Sequence, residues 1–341
     1  MARPPASRTV SGLVSGAGAA LLIAGGLLTA YAVQGEKRPT PYVYELAEAA
    51  GPDAARTLAE GLPDATLKTL ALKTADTGRL LAAGTVLERP GEPALIVGWR
   101  SEIGEPVLRS DIAVEEEEKL VAALRAHLPA GSLVFAMPAL SHRLQATVEA
   151  TFPLAAADDS ATLRPPDAWA NAREAIAQTE KRWRPAADAG ADALFSSFLD
   201  ALGAEDKYGV ARLQVMALQV MAGAQESYLV LHVRDAFDIG VAAPDRFSVG
   251  LRDFPGSGNV HDVTKLVKTW VKDEGFAAYA VIPRDANAVR AYYLADTAGK
   301  SSLLGQLLPF NSARIGQVPE ATLVFQHGGY WVYRIAGIRA G

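Results

Sequence analysis

The chain has 341 residues, of which 50% are hydrophobic and 21% charged, a composition typical of a globular protein large enough to bury a substantial core. It contains no cysteine, which excludes disulfides, thiolate metal sites, covalently attached c-type haem and the acylated cysteine of a bacterial lipoprotein. The formal net charge is -5 and no run of Lys and Arg occurs, so nucleic acid is not expected as a partner.

An uncharged segment near the N-terminus predicts a membrane anchor. No charged residue occurs from Thr9 to Gly35, and residues 10–33 are long enough to cross the hydrocarbon layer as one transmembrane helix. Because Arg3 and Arg8 precede it, the positive-inside rule favours a cytoplasmic tail over residues 1–9. We therefore expect a single-pass protein of the inner membrane with its C-terminal domain in the periplasm.

Two alternatives concern the same segment. A cleaved secretory signal fits the small-x-small pattern at residues 30–32, although an apolar core of about 20 residues exceeds the roughly 7 to 15 of a usual signal. Small residues also recur every four positions, at Gly12, Gly16, Ala20 and Ala24. Such a stripe could let anchor helices pack in an oligomeric scaffold, but a segment this rich in Ala and Gly also produces the spacing by chance.

The exported part is predicted to be an α/β fold with mixed sheets. Its expected organisation is a spacer over residues 34–42, a first α/β unit over 43–157, a helical connector over 158–225, and a second α/β unit with a C-terminal hairpin over 226–341. Each unit is expected to follow a strand-strand-helix-strand order, which is consistent with a structural pseudo-repeat.

The first unit combines strand and helix patterns. Two short helices are expected within Glu45–Gly61, which is rich in alanine and interrupted by Gly-Pro. Strands are expected at Leu67–Thr74, Leu80–Glu88, Ala94–Arg100, Pro106–Ile112 and Ser132–Pro138. A helix over Val114–Pro129 carries Glu115–Glu118 in its first turn, which we interpret as a solvated face, an acidic binding site being the alternative.

The connector and the second unit are predicted in the same way. The chain from Ala168 to about Ala224 favours helix almost throughout, with Pro185 ending or kinking one helix. The second unit is expected to have strands at Ser227–Val233, Arg246–Phe254, Ala277–Pro283 and Ala288–Asp296, and helices at Val260–Gly275 and within Ser301–Phe310.

The C-terminal hairpin can be predicted in detail. Gly328-Gly329 suits a two-residue turn that requires positive φ. The resulting register pairs His327 with Tyr330, Gln326 with Trp331, Phe325 with Val332 and Val324 with Tyr333. Neither face of this hairpin is polar, so it should be covered on both sides, by the core and by a helix or a partner protein.

A glycine-containing turn before Val260 is a candidate for ligand binding. Within DFPGSGNVHD, Gly256 and Gly258 would let the backbone approach a ligand, and the amides at the helix start could hold an anion. The pattern lacks the third glycine of a dinucleotide fingerprint and the lysine of a phosphate loop, and Asn259 also fits a plain helix N-cap. With the hairpin, the candidate ligand or partner contacts are Asp253, Gly256, Gly258, Asn259, His261, His327, Tyr330 and Trp331.

No motif for catalysis or metal binding accompanies these residues. The five histidines show neither His-x-x-x-His nor H-E-x-x-H spacing, and His232 lies in an apolar strand where a hydrogen-bonded core residue is expected. Neither a G-x-S-x-G elbow nor an S-x-x-K motif occurs. We predict no metal, no cofactor and no catalytic residue; whether the chain is an enzyme stays open, with a non-catalytic role favoured.

Several segments together resemble one protein family. They are the DFPGSGNVHD turn with the tryptophan-bearing helix after it, the hairpin LVFQHGGYWVYRI, and the segments LIVGWRSEIGEPVL and LPFNS. On these segments the chain resembles the HaoB family of hydroxylamine oxidation proteins, which are encoded beside the octahaem hydroxylamine oxidoreductase.

The resemblance implies a membrane-anchored periplasmic accessory protein without haem, which acts by contact with that multihaem enzyme. It transfers no catalytic residue. The competing hypothesis is a periplasmic small-anion-binding or enzymatic domain that uses the Gly256–His261 turn.

Overall fold

Eleven strands form three sheets in the part of the chain that the structure describes. The computed structural model describes residues 39–48, 53–60, 62, 64–221, 226–256, 260–285 and 287–337. The predicted anchor over residues 10–33 lies outside these ranges, and within them no helix is long and apolar enough to span a membrane. The chain from Pro41 onwards forms one compact unit. The predicted α/β class with mixed sheets is confirmed.

Ten α-helices lie between or beside the strands in the described ranges. They are α1 (Asp53–Ala59), α2 (Val114–His127), α3 (Pro138–Thr147), α4 (Arg173–Glu180), α5 (Ala189–Gly203), α6 (Asp206–Val220), α7 (Asp235–Ala242), α8 (Val260–Glu274), α9 (Thr297–Ser301) and α10 (Leu303–Leu307). The helices α4 to α6 confirm the helical character predicted from Ala168 onwards.

The first sheet is antiparallel with the strand order β1-β2-β3-β4. Its strands are β1 (Tyr42–Glu48), β2 (Thr66–Thr74), β3 (Leu80–Glu88) and β4 (Leu95–Ser101). The last three confirm the predicted strands to within one residue. The first helix predicted within Glu45–Gly61 is wrong, because the chain there belongs to strand β1. This strand pairs with β2 along its whole length and buries Tyr42 against the ring of Trp169. Pairing with a distant strand here overrides local helix propensity.

The second sheet is mixed, with the strand order β10-β11-β6-β5. Its strands are β5 (Leu133–Phe135), β6 (Glu226–His232), β10 (Ala321–His327) and β11 (Tyr330–Ala336), of which β5 and β6 are parallel. Side chains such as Leu229 and Tyr333 share one core cluster with α5 and α6. Their alternating neighbours, such as Val230 and Val332, share another with α2 and α3. Helices therefore cover both faces of this sheet, which explains its nearly continuous apolar runs.

The third sheet is antiparallel, with the order β7-β9-β8. Its strands are β7 (Val249–Pro255), β8 (Ala278–Asp285) and β9 (Ala288–Leu294). Helix α8 packs on it through Val263, Val267 and Val271, which form a small core with Phe254 and Ala291. The strands and the helix lie where the sequence predicted them, although β7 starts three residues later than Arg246.

The strand predicted at Pro106–Ile112 is wrong. This segment makes only isolated bridges, Leu108 with Arg164 and Ile112 with Trp99. Leu108 has φ 62°, a left-handed conformation that interrupts an extended strand. The segment turns instead into the interior, where it contributes polar side chains to the site described below.

The C-terminal hairpin keeps most of its predicted register. Three predicted pairs, beginning with His327 opposite Tyr330 at the turn, are confirmed. The fourth is wrong, because a β-bulge at Val324 places Leu323 opposite Tyr333. Val324 is 49% exposed on the edge strand, where a bulge disturbs no core packing. The inner strand β11 is covered on both faces as predicted, whereas β10 forms the edge of the sheet.

Candidate functional site

A buried ionic network lies where α2, α3, β6 and β11 meet. Glu117, in the first turn of α2, is 1% exposed and accepts two hydrogen bonds from the guanidinium of Arg143, at 2.6 and 2.9 Å. The Tyr330 hydroxyl donates to Glu117 at 3.1 Å and accepts from Arg234 at 2.7 Å. Interpreting Glu115–Glu118 as a solvated face is therefore wrong for Glu117. Its carboxylate can be buried because an arginine fork and a hydroxyl satisfy it.

His232, on β6, is held in one neutral tautomer. Its Nδ1 accepts the backbone N–H of Arg234 at 3.0 Å, so Nε2 carries the proton and donates to Glu116 at 3.2 Å. Burial, reinforced by the charge of Arg234, lowers the pKa of His232 to about 3. The expectation of a hydrogen-bonded core histidine is confirmed.

Glu116 connects this histidine to the hairpin turn. Its carboxylate accepts the backbone N–H of Gly329 at 3.2 Å as well as the hydrogen bond from His232. Burial alone would raise the pKa of Glu116, but these hydrogen bonds hold it below its usual value. The turn of the hairpin is thus fixed to the first turn of α2.

Further ion pairs extend the network to the third sheet. Arg234 donates to the backbone carbonyl of Asp111 at 3.2 Å, and the Asp111 carboxylate lies 3.2 Å from Nη1 of Arg290. Arg290 donates two hydrogen bonds to Asp253, at 2.7 and 3.0 Å, and Arg284 donates another at 2.6 Å. Asp111 also accepts a backbone N–H from the last residue of β4, at 2.8 Å. The ionic network therefore joins all three sheets.

A cavity of about 100 Å³ borders the network, and we call it the arginine cavity. Its wall contains nine ionisable side chains together with apolar side chains of β4 and α3. The ionisable ones are Arg109, Arg143, Arg164, Arg184, Arg234, Asp159, Asp235, Asp238 and His142. Guanidinium groups are planar donors suited to carboxylates and other oxyanions, so this lining points to recognition of an anion.

Several N–H groups of this cavity have no acceptor. Three of the arginines form ion pairs with carboxylates. Arg109 pairs with Glu180, Arg164 with Asp238, and Arg184 with Asp159. Among the residues described, Nε of Arg109 and both Nε and Nη1 of Arg164 are nevertheless buried without a hydrogen-bond partner. A buried donor left in this state costs about 1–3 kcal/mol. Nε1 of Trp183 and Oδ1 of Asp159 in the same wall also have no hydrogen-bond partner, although Asp159 forms an ion pair with Arg184, so the unmet hydrogen-bonding capacity of the cavity is mainly that of donors.

Four ionisable groups of the cavity are shifted toward their neutral forms, whereas the pKa values of Arg109, Arg143 and Arg234 are raised. Burial lowers the pKa of Arg164 to about 10 and that of His142 to about 4. Burial also raises the pKa of Asp235 to about 6 and raises that of Asp159. All four shifts have the same physical cause, the loss of hydration on burial. Within the described ranges, no group of His, Asp and Glu is placed to hold a metal ion.

The family model described as HaoA-associated protein HaoB matches residues 11–335. The chain belongs to the HaoB family. This confirms the resemblance that the turn, the strand segments and the hairpin indicated. No curated protein and no solved structure matches the chain. The part of this HaoB-family chain covered by the match includes the whole ionic network and the arginine cavity.

The HaoB-family structure brings two of the predicted contact residues into one site. Asp253 and Tyr330 both belong to the ionic network, where arginines satisfy them. His327 is instead exposed at the end of β10, next to the turn. Trp331 packs into the core on the opposite face of β11 from Tyr330. The hairpin therefore contributes the Tyr330 hydroxyl and the Gly329 N–H to the ionic network, whereas Trp331 contributes packing.

The predicted turn is described only in part. The N–H of Gly256 donates to the carbonyl of Asn287 at 2.6 Å, and a Cβ at Gly256 would lie 2.9 Å from the carbonyl carbon of Asn287. Glycine is needed here because two chain segments approach closely. Gly258 and Asn259 lie outside the described residues, as does the side chain of His261. A ligand site at this turn stays a prediction.

Sequence reasoning missed the arginine cavity. Its arginines come from segments spread between Arg109 and Arg234, with no spacing that marks a motif. One signal was present for Arg234, which directly follows the largely apolar strand segment SYLVLHV. A charged residue at the end of such a segment is rarely buried unless it is paired, so it predicts a partner elsewhere in the fold.

Proposed function

We propose that this HaoB-family chain is a membrane-anchored periplasmic accessory protein of hydroxylamine oxidation. It acts by contact with the multihaem hydroxylamine oxidoreductase and does not catalyse a reaction itself. The observation that carries the proposal is the family match over residues 11–335, because the family is described as HaoA-associated.

The state of the buried ionisable groups supports a non-catalytic role. A general base needs a free lone pair in reach of a substrate. In His232 one ring nitrogen accepts a backbone N–H and the other donates to Glu116. Glu117 is occupied by Arg143 and Tyr330. These groups satisfy one another and contribute to stability.

The uncharged segment over residues 10–33 supports the anchor. It is long enough for one transmembrane helix, and the arginines before it favour a cytoplasmic N-terminus. An anchor in this orientation would hold residues 34–341 on the periplasmic side. The chain would then be confined to the membrane surface, where it could keep its partner close by.

Co-purification tests the contact. The full chain with a C-terminal tag is isolated from membranes in a mild detergent, and the eluate is examined for covalently bound haem by absorbance and haem staining. We expect recovery of hydroxylamine oxidoreductase, whereas an unrelated single-pass protein with the same tag should recover none. Absence of any multihaem protein would contradict the proposed contact. Hydroxylamine oxidation by the isolated chain would contradict the non-catalytic role.

Alkaline extraction of membranes tests the anchor separately. The wild-type chain should stay in the membrane fraction. The double substitution Leu21→Arg and Leu22→Arg should release it, because each arginine near the helix centre costs about 2.5–3.5 kcal/mol of insertion energy. Gln34→Arg, just outside the segment, is the matched control and should stay in the membrane. Release of the wild-type chain would refute the anchor.

A further inference from the structure

We propose that the arginine cavity binds a small planar oxyanion with one negative charge, the class that includes formate, nitrite, nitrate and bicarbonate. This site is distinct from the Gly256–His261 turn, and it goes beyond the contact with hydroxylamine oxidoreductase proposed above. Three features of the cavity carry the inference: its unmet donors, its volume and its balance of charge.

The arginine N–H groups without partners favour a ligand that accepts hydrogen bonds. Nε of Arg109, Nε of Arg164 and Nη1 of Arg164 are buried without partners, and both residues line the same cavity. An oxyanion offers several lone pairs on a compact frame and can accept from two guanidinium groups at once. Hydrogen bonds between charged groups are shorter and stronger than those to a neutral acceptor, so an anion should compete well with water at this site.

The volume limits the size of the ligand. The cavity measures about 100 Å³, smaller than the cavity of roughly 150 Å³ that holds one benzene molecule in another protein. Three or four non-hydrogen atoms therefore fit, whereas a nucleotide, a peptide or a tetrapyrrole does not.

The charges of the side chains around the cavity favour a ligand with one negative charge. Five arginines and three aspartates line the cavity. Two glutamates outside the lining pair with two of these arginines, Glu117 with Arg143 and Glu180 with Arg109. Counted together, these charges cancel, so no large positive field remains to stabilise a dianion. A desolvated second negative charge would be poorly compensated. Because the pKa values of Asp159 and Asp235 are raised, two of the carboxylates are shifted toward neutrality, which leaves an excess of positive charge that one bound monoanion can balance.

Arg164 is part of the cavity wall. It also lines a wider groove of about 860 Å³, bordered by Ile103–Val107 and Gly250–Asp253. Its guanidinium is held by Asp238 and by the hydroxyl of Ser110. Arg164 therefore borders both the groove and the cavity.

Isothermal titration calorimetry of the full chain in detergent tests the proposal. Sodium nitrate, nitrite and formate are titrated at constant ionic strength, with chloride and sulfate as comparison anions. We expect saturable binding of a planar monoanion at one site per chain. Sulfate and chloride should bind at least about tenfold more weakly, because the first carries a second charge and the second is a single atom without a planar set of acceptors.

A matched pair of double variants locates the site. Arg164→Gln with Asp238→Asn removes both members of a cavity pair, so that no unpaired carboxylate is left behind. It should weaken binding at least about tenfold, the effect of losing one charge-assisted contact. Arg212→Gln with Asp200→Asn makes the same chemical change in an exposed pair, 3.9 Å apart, and should bind like the wild type.

Two outcomes would overturn the proposal. If the wild-type chain binds none of the monoanions saturably, ordered water satisfies the donors instead. If the cavity variant binds as tightly as the wild type, the anion binds elsewhere. Circular dichroism checks that the cavity variant is folded. Should it be unfolded, Arg164→Lys replaces it, since lysine keeps the charge beside Asp238 but lacks the planar N–H groups and should also weaken binding about tenfold.

Discussion

Replacing Glu117 by glutamine should show how strongly the ionic network stabilises the fold. Glutamine keeps the volume of glutamate but removes its charge and turns one acceptor oxygen into an amide that donates. Arg143, whose side chain is 8% exposed, would then face this amide as a buried cation without a counter-ion. Tyr330 would lose the carboxylate to which its hydroxyl donates.

The expected loss is large because the remaining charge cannot reach water. Removing one partner of a buried ion pair costs about 3–5 kcal/mol, mostly through the charge left behind. The free energy of unfolding of a whole domain is about 5–15 kcal/mol. Glu117→Gln should therefore remove a major part of the stability. Arg143→Met added to it should restore much of the loss, since both charges are then gone.

Urea unfolding of the full chain in detergent, followed by circular dichroism, measures these differences. Glu115→Gln is the matched control, because it makes the same change in the same helical turn at an exposed position. Its effect should stay within about 0.5 kcal/mol. A loss for Glu117→Gln below about 1 kcal/mol, the range of an exposed ion pair, would refute the argument that Glu117 is buried and structurally required.

Three further outcomes test other parts of the site. The pKa of His232 is about 3 in the folded chain and 6.5 ordinarily, so the unfolded state binds more protons below pH 6.5. Stability should fall as the pH drops from about 6.5 toward 4, and His232→Gln should flatten this slope in urea titrations; an unchanged slope would argue against a neutral buried histidine. Gly256→Ala should cost about 1–3 kcal/mol because its Cβ would meet Asn287, while Gly104→Ala, in open space, should be nearly neutral. Tyr330→Phe should cost about 1–3 kcal/mol by removing one hydrogen bond from each of two buried charged partners, and wild-type stability would contradict the hydrogen bonds assigned to its hydroxyl.

Local patterns were sufficient for most of the secondary structure. The strands β2, β3 and β4 and the helices α2 and α8 have their apolar residues at strand or helix spacing, and each lies within one or two residues of its predicted position. The hairpin turn follows from Gly328-Gly329, since φ is positive at Gly328. These features depend on residues close together in the chain. The family resemblance rested on short segments of the same kind.

The errors occurred where distant parts of the chain decide the structure. The helix predicted at Glu45 became strand β1 because it pairs with β2, and Pro106–Ile112 left the sheet to contribute to the cavity wall. The bulge at Val324 depends on its place at a sheet edge.

Local spacing was thus enough to indicate the fold class and most of the hairpin, and the likeness of short segments indicated the family, whereas the anchor stays a prediction. The burial of Glu117, the tautomer of His232 and the arginine cavity required the folded chain. A charged side chain has no fixed preference for the interior; burial is stabilising only where partners from other segments satisfy it. Those partners are brought together by packing of the three sheets, and no local stretch of sequence encodes their distance.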